Sequence, residues 1–183
     1  MSIGKLGARA LIGGLFVGHG MQKLNGSFGG PGLDAASGMM ASLNLHPARR
    51  NALAAGITEA AGGTLLAAGL ATPLASAALI GTMVTAIRKV HLANGPWAAN
   101  GGWEYNAVLI AALAVLAEQG PGPISLDRLR GKERSGMLWG LGALALGAAA
   151  SGAVVEAGSR SAPAVTEPSA PFGDTAGDPV TGD

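Results

Sequence analysis

Along the chain, long uncharged stretches alternate with short polar ones. Counting histidine as neutral, 13 uncharged residues separate Arg9 from Lys23, 28 separate Glu59 from Arg88, 13 separate Glu104 from Glu118 and 21 separate Arg134 from Glu156. A helix that crosses lipid needs roughly 20 predominantly apolar residues, whereas a soluble core helix has no need of such runs. The pattern predicts five helices, over residues 6–24, 51–70, 73–92, 102–118 and 135–155. Only Ala71 and Thr72 separate the second helix from the third, with Gly69 before and Pro73 after. Glycine behind one helix end and proline in the first turn of the next punctuate a tight hairpin, so these two helices are expected to be antiparallel neighbours. Between the first and second helices, Leu33, Ala36, Met40 and Leu43 share one helical face, which predicts a short helix lying in the membrane interface.

The expected architecture is all-α. A polytopic membrane four-helix bundle occupies residues 1–134, a fifth C-terminal transmembrane helix follows within 135–156, and a disordered acidic tail begins at 157. In that tail Pro163, Pro168, Pro171 and Pro179 punctuate a stretch too poor in aliphatic residues to offset its ordering entropy.

Composition narrows the function. Charged residues make up 13% of the chain, about half of what a soluble domain carries. A net charge of +1 leaves no electrostatic footprint for nucleic acid. With no cysteine, the chain can neither exchange disulfides nor hold an iron–sulfur cluster through thiolates, so a redox role needs a bound cofactor or a partner. Lys5, Arg9 and the apolar run after them imitate a signal peptide, but no small-x-small cleavage site follows, and the segment is read as a retained first span. With five spans, Lys and Arg divide six to six between the two sides. If Lys23, Arg88 and Lys89 belong to a site near helix ends, the remaining loop charges place the N-terminus in the cytoplasm and the tail outside.

Alternating helix directions bring one set of polar residues to a common level. At roughly 1.5 Å per residue, His19, Glu59, Arg88 and Glu104 all stand about 16–22 Å above the cytoplasmic boundary. Ionisable groups in hydrocarbon are costly unless they compensate one another. Lys23 follows His19 by four residues and His91 follows Arg88 by three, so each pair shares a helix face. The expected cluster is His19, Lys23, Glu59, Arg88, His91 and Glu104, with Gln22, Tyr105 and Asn106 as hydrogen-bond partners. Glu59 stands among small residues, Ala60-Ala61-Gly62-Gly63, that permit close helix approach. Its two readings are a buried structural ion pair with Arg88 or Lys23, and a ligand-binding or proton-handling carboxylate. No local spacing of the histidines and carboxylates forms a known metal motif. His46, beside Pro47, is expected to face solvent. Residues 127–134 are expected to form a hydrated loop near anionic headgroups. Gly14 with Gly18, and the series Gly136, Gly140, Gly142 and Gly147, are candidates for close helix packing.

The order of motifs resembles the DoxX family. It runs His19-Gly20-x-Gln22-Lys23, Phe28-Gly29-Gly30-x-Gly32, Glu59 with Gly62-Gly63, Gly69-x-x-Thr72, Val90-His91 with Asn94-Gly95, Gly101-Gly102-x-Glu104-Tyr105, and Gly120-Pro121-Gly122 with Ser125-Leu126-Asp127, from about residue 9 to 128. The resemblance implies a four-helix protein of the bacterial plasma (inner) membrane. Some relatives are subunits of thiosulfate:quinone oxidoreductase, and others belong to membrane complexes linking peroxide or superoxide defence to thiol metabolism. On this chain it implies a multi-pass oxidoreductase subunit that takes a quinone or another small ligand, none bound covalently. Glu59 and His19 would handle protons, Lys23 and Arg88 would neutralise the ligand, and Glu104 with Tyr105 would orient it. Gln22 and His91 complete the expected binding set. The implied partners are the lipid bilayer and other oxidoreductase subunits or soluble redox enzymes, with homo-oligomerisation left open. The competing reading is a non-catalytic scaffold or assembly subunit.

Overall fold

A computed structural model describes residues 3–162, and the expected tail falls almost wholly outside the described residues. Those residues form α1 (Ile3–Asn25), α2 (Gly32–Ser42), α3 (Ala48–Ala68), α4 (Thr72–Ala86), α5 (Glu104–Gln119), α6 (Leu126–Leu129) and α7 (Met137–Arg160). They contain no strand. A π-helical turn, Ile87–His91, continues α4, and short 3₁₀ turns fill the loops between 25 and 32 and between 91 and 104.

The α3–α4 hairpin forms as its punctuation predicts. Gly69 ends α3 in the left-handed region at φ 65°, the Leu70 amide donates to the Leu65 carbonyl at 2.9 Å, and Pro73 sits in the first turn of α4. The amide of Thr72 at the start of α4 donates to Asp127 Oδ2 at 3.3 Å, a carboxylate where the helix dipole favours one.

Helices α1 and α3 touch backbone to backbone. A Cβ on Gly13 would run into the Gly63 carbonyl oxygen, and one on Gly20 would meet the Gly56 oxygen and the Ala60 amide. Such close approach is the gain that small residues offer in apolar surroundings. The seam therefore uses Gly13 and Gly20. Gly14 and Gly18 point to open space, because helical rotation turns them about 100° and about 140° away from Gly13. On α7, Gly140 meets Glu118 and Gly147 meets Ile80, whereas Gly136 and Gly142 meet nothing.

The main core joins Phe16, Leu66, Leu79, Ile80, Leu113 and Leu116. A smaller one, including Ala36, Met40 and Leu45, seats α2 against α3. Helix α7 packs along α4 and α5. It alone among the described helices is long and apolar enough to cross a membrane by length and composition. Helices α4 and α5 are short at 15 and 16 residues, and polar residues dilute α1 (Lys5, Arg9, Lys23) and α3 (Arg49, Arg50, Glu59).

The end opposite the expected cluster departs from expectation. Arg9 is 1% exposed, and its guanidinium donates to the carbonyls of Pro121 and, at 2.7 Å, Ile124. Asp127 is also buried, at 3% exposure, and interacts electrostatically with Arg9, while its amide donates to the Gly69 carbonyl at 3.0 Å. Asp127 thus leaves the hydrated loop, of which Arg128, Arg130, Lys132 and Glu133 remain exposed. His46 is half-buried, since its amide donates to the Gly158 carbonyl at the end of α7.

Candidate functional site

A cavity of about 760 Å³ opens between α1, α2, α3, α4, α5 and α7. Its wall is mostly apolar. Met39 and Met40 of α2 with Leu43 just after it, and Ala150 and Val154 of α7, line two of its sides. Leu15, Met39 and Val154 are each at least 43% exposed, so its rim is apolar as well. A concave, largely apolar space with a few convergent polar groups is the usual form of a small-molecule site.

The ionisable and amide groups of the wall come from α1, α3, the π turn and α5. Lys23 Nζ donates to Glu59 Oε2 at 2.6 Å, joining α1 to α3, with the two side chains 20% and 6% exposed. Glu59 Oε1 takes no hydrogen bond among the described residues, and both residues line the cavity. The structural pairing expected for Glu59 is therefore with Lys23 and not with Arg88.

His19, one turn before Lys23, lines the cavity and donates from Nδ1 to Gln22 Oε1 at 3.1 Å. Across the cavity, His91 donates from Nδ1 to the Gly101 carbonyl at 2.7 Å. In both rings the Nδ1 bond leaves Nε2 as the basic nitrogen of the neutral form. Asn106, 6% exposed, spends its amide on Met83 Sδ at 3.4 Å, and Tyr105 borders the opening.

Three expected members stand elsewhere. Arg88 is exposed and off the cavity wall. Gly81 and Thr85 of α4 line the wall, and in the π turn that follows it is Lys89, not Arg88, that faces the cavity. Glu104 accepts the Ala98 amide at 2.7 Å, so its carboxylate secures the loop before α5. Gln22 touches His19 but does not line the cavity. Lys89 takes the place expected of Arg88; helical periodicity from Gly81 and Thr85 admits both residues and does not choose between them. Among the described residues no group of three histidines, cysteines or carboxylates is arranged to hold a metal ion.

The described residues thus form an all-helical protein with an apolar cavity walled by a buried ion pair. Residues 4–92 match the DoxX family model, which supports a DoxX family protein. The motif blocks from Asn94 onward lie beyond the matched stretch. No curated protein and no solved structure matches the chain.

Proposed function

We propose that the protein is a multi-pass subunit of an oxidoreductase system in the plasma membrane, and that its cavity takes a quinone-like ligand. The observation that carries this reading is the 760 Å³ apolar cavity with the Lys23–Glu59 pair and two histidines on its wall. Membrane residence is supported by the family match and by the apolar residues on the outside: Leu11 and Leu15 on α1, Val108 and Val115 on α5, Leu138 and Leu141 on α7. In this reading α1, α3, α4 with its π turn, α5 and α7 all cross the bilayer, and the apolar rim opens toward lipid.

A quinone that accepts two electrons must accept two protons. The free Nε2 atoms of His19 and His91 and the unbonded Oε1 of Glu59 are the groups of this chain able to carry them. Lys23 fixes the Glu59 carboxylate in place through their 2.6 Å contact, and Tyr105 orients the ligand at the opening. Electrons come from a partner subunit or a soluble redox enzyme, since the chain has no cysteine to relay them.

The test uses the native complex and the purified chain in detergent. Glu59→Gln is expected to leave quinone binding within a factor of about two but to lower quinone-linked turnover by roughly 100-fold, the usual scale for removing a proton-transfer group. Ala78→Phe, which puts a ring into the cavity from an exposed position on α4, is expected to abolish the quinone-dependent rise in melting temperature. Full turnover in Glu59→Gln would overturn the proton role. A wild-type chain whose melting temperature ignores every quinone tried would favour the scaffold, in which the ion pair only locks α1 to α3.

A further inference from the structure

The charges on the cavity wall do not balance. Among the residues that line it, Lys23, Lys89 and Glu59 are the only formally charged ones when both histidines are neutral. Glu59 is committed to Lys23 at 2.6 Å. Lys89 has no hydrogen bond or ion pair among the described residues, and Glu104 is bonded to the Ala98 amide and off the wall.

A second, geometric observation concerns the same residue. Lys89, Val90 and His91 are consecutive, yet all three line the cavity. An α-helix turns by about 100° per residue and would swing one of three neighbours away. The π turn at Ile87–His91 is wider, and it keeps the three on one side. Such turns recur at functional sites.

Lys89 is half-exposed at the edge of the cavity, where its ammonium meets a largely apolar wall without a counter-charge. With the wall's one carboxylate already paired, an anionic ligand would supply that counter-charge. We infer that the ligand of this cavity carries a single negative charge on an oxyanion head attached to an apolar body, and that Lys89 is the residue that selects it. The inference rests on the proposed reading of the cavity as a ligand site. It narrows the class from neutral quinones to acidic ones, such as ring enolates. The head sits between Lys89 and His91, and the body extends toward Met39, Leu43 and Val154. Lys89 acts through charge and its three donors. It has no part in proton transfer.

Two naphthoquinones of similar size separate these claims. One is 2-hydroxy-1,4-naphthoquinone, an enolate at neutral pH, and the other is the uncharged 2-methyl-1,4-naphthoquinone. Binding of each to the full-length chain in a non-ionic detergent is followed by quenching of tryptophan fluorescence. The wild-type chain is expected to prefer the enolate by about tenfold or more. Lys89→Met should bring the two affinities together while leaving that for the methyl compound within about twofold, and Lys89→Arg should keep the preference. Unchanged binding of the methyl compound also shows that the variant is folded. A wild-type chain that binds both compounds equally, or a preference that survives Lys89→Met, overturns the selective role of Lys89 and leaves the cavity reading standing. Failure of the wild-type chain to bind either compound overturns both.

Discussion

Lys23 and Glu59 form their 2.6 Å contact where neither has full access to water. Removing one partner leaves the other buried without its counter-charge, whereas removing both leaves only a packing change. Lys23→Met is therefore expected to destabilise the protein by about 3 kcal/mol. The double variant Lys23→Met/Glu59→Leu is expected to cost less than that single change, as read from denaturant unfolding in detergent. A double variant weaker than the single would show that the pair is not energetically coupled. At this scale the sequence was a partial guide. Helical rise put His19 and Glu59 near one level, the face shared with Arg88 added His91, and the cavity gathers all three. Rotation about the helix was harder to read: the choice between Arg88 and Lys89 depends on one residue of register and on a π turn that no local composition announces. Arg9 and Asp127 were misread because their partners lie more than 50 positions away in the chain, beyond the reach of periodicity.

Helix α1 owes its place to shape. Its contact with α3 is a line of missing side chains, Gly13 and Gly20 facing Gly63 and Gly56, and the backbones fill the space that Cβ atoms would occupy. Gly63→Ala forces a methyl group against the Gly13 carbonyl and is expected to cost about 1–3 kcal/mol. Gly14→Ala, one position around the helix, meets nothing within 4 Å and is expected to gain about 0.5–1 kcal/mol from helix propensity. Melting temperatures of the two variants in one detergent should move in opposite directions; a common direction would mean that the seam is not what joins the helices. Helix positions were legible because apolar run length and Gly–Pro punctuation are local signals, and each of the five expected helices overlaps an observed one. Which glycines make contact was not legible. In a chain with 31 of them, spacing cannot separate the packed from the exposed.

For the whole molecule, the proposed five crossings place the chain ends on opposite sides of the membrane. Alkaline phosphatase fused after Asp183 is expected to be active in a bacterial host, and the same enzyme fused after Arg130, in the loop between α6 and α7, inactive. The reverse pattern would invert the orientation, and equal activity of both fusions would remove a crossing. Charge counts could not decide this beforehand. Arg9, entered as a loop charge, is one of the most deeply buried side chains in the protein.

The Thr85 hydroxyl donates to Ser151 Oγ at 2.9 Å, tying α4 to α7 beside the cavity. Ala150, Ser151 and Val154 make α7 a panel of the chamber, yet this panel, like α5, lies after the 4–92 stretch that matches the family. In this chain the ion pair and the π turn lie within the matched stretch, while α5 and α7 close the chamber from outside it. Changes in α5 or α7 can therefore reshape the apolar end of the chamber without touching its polar end.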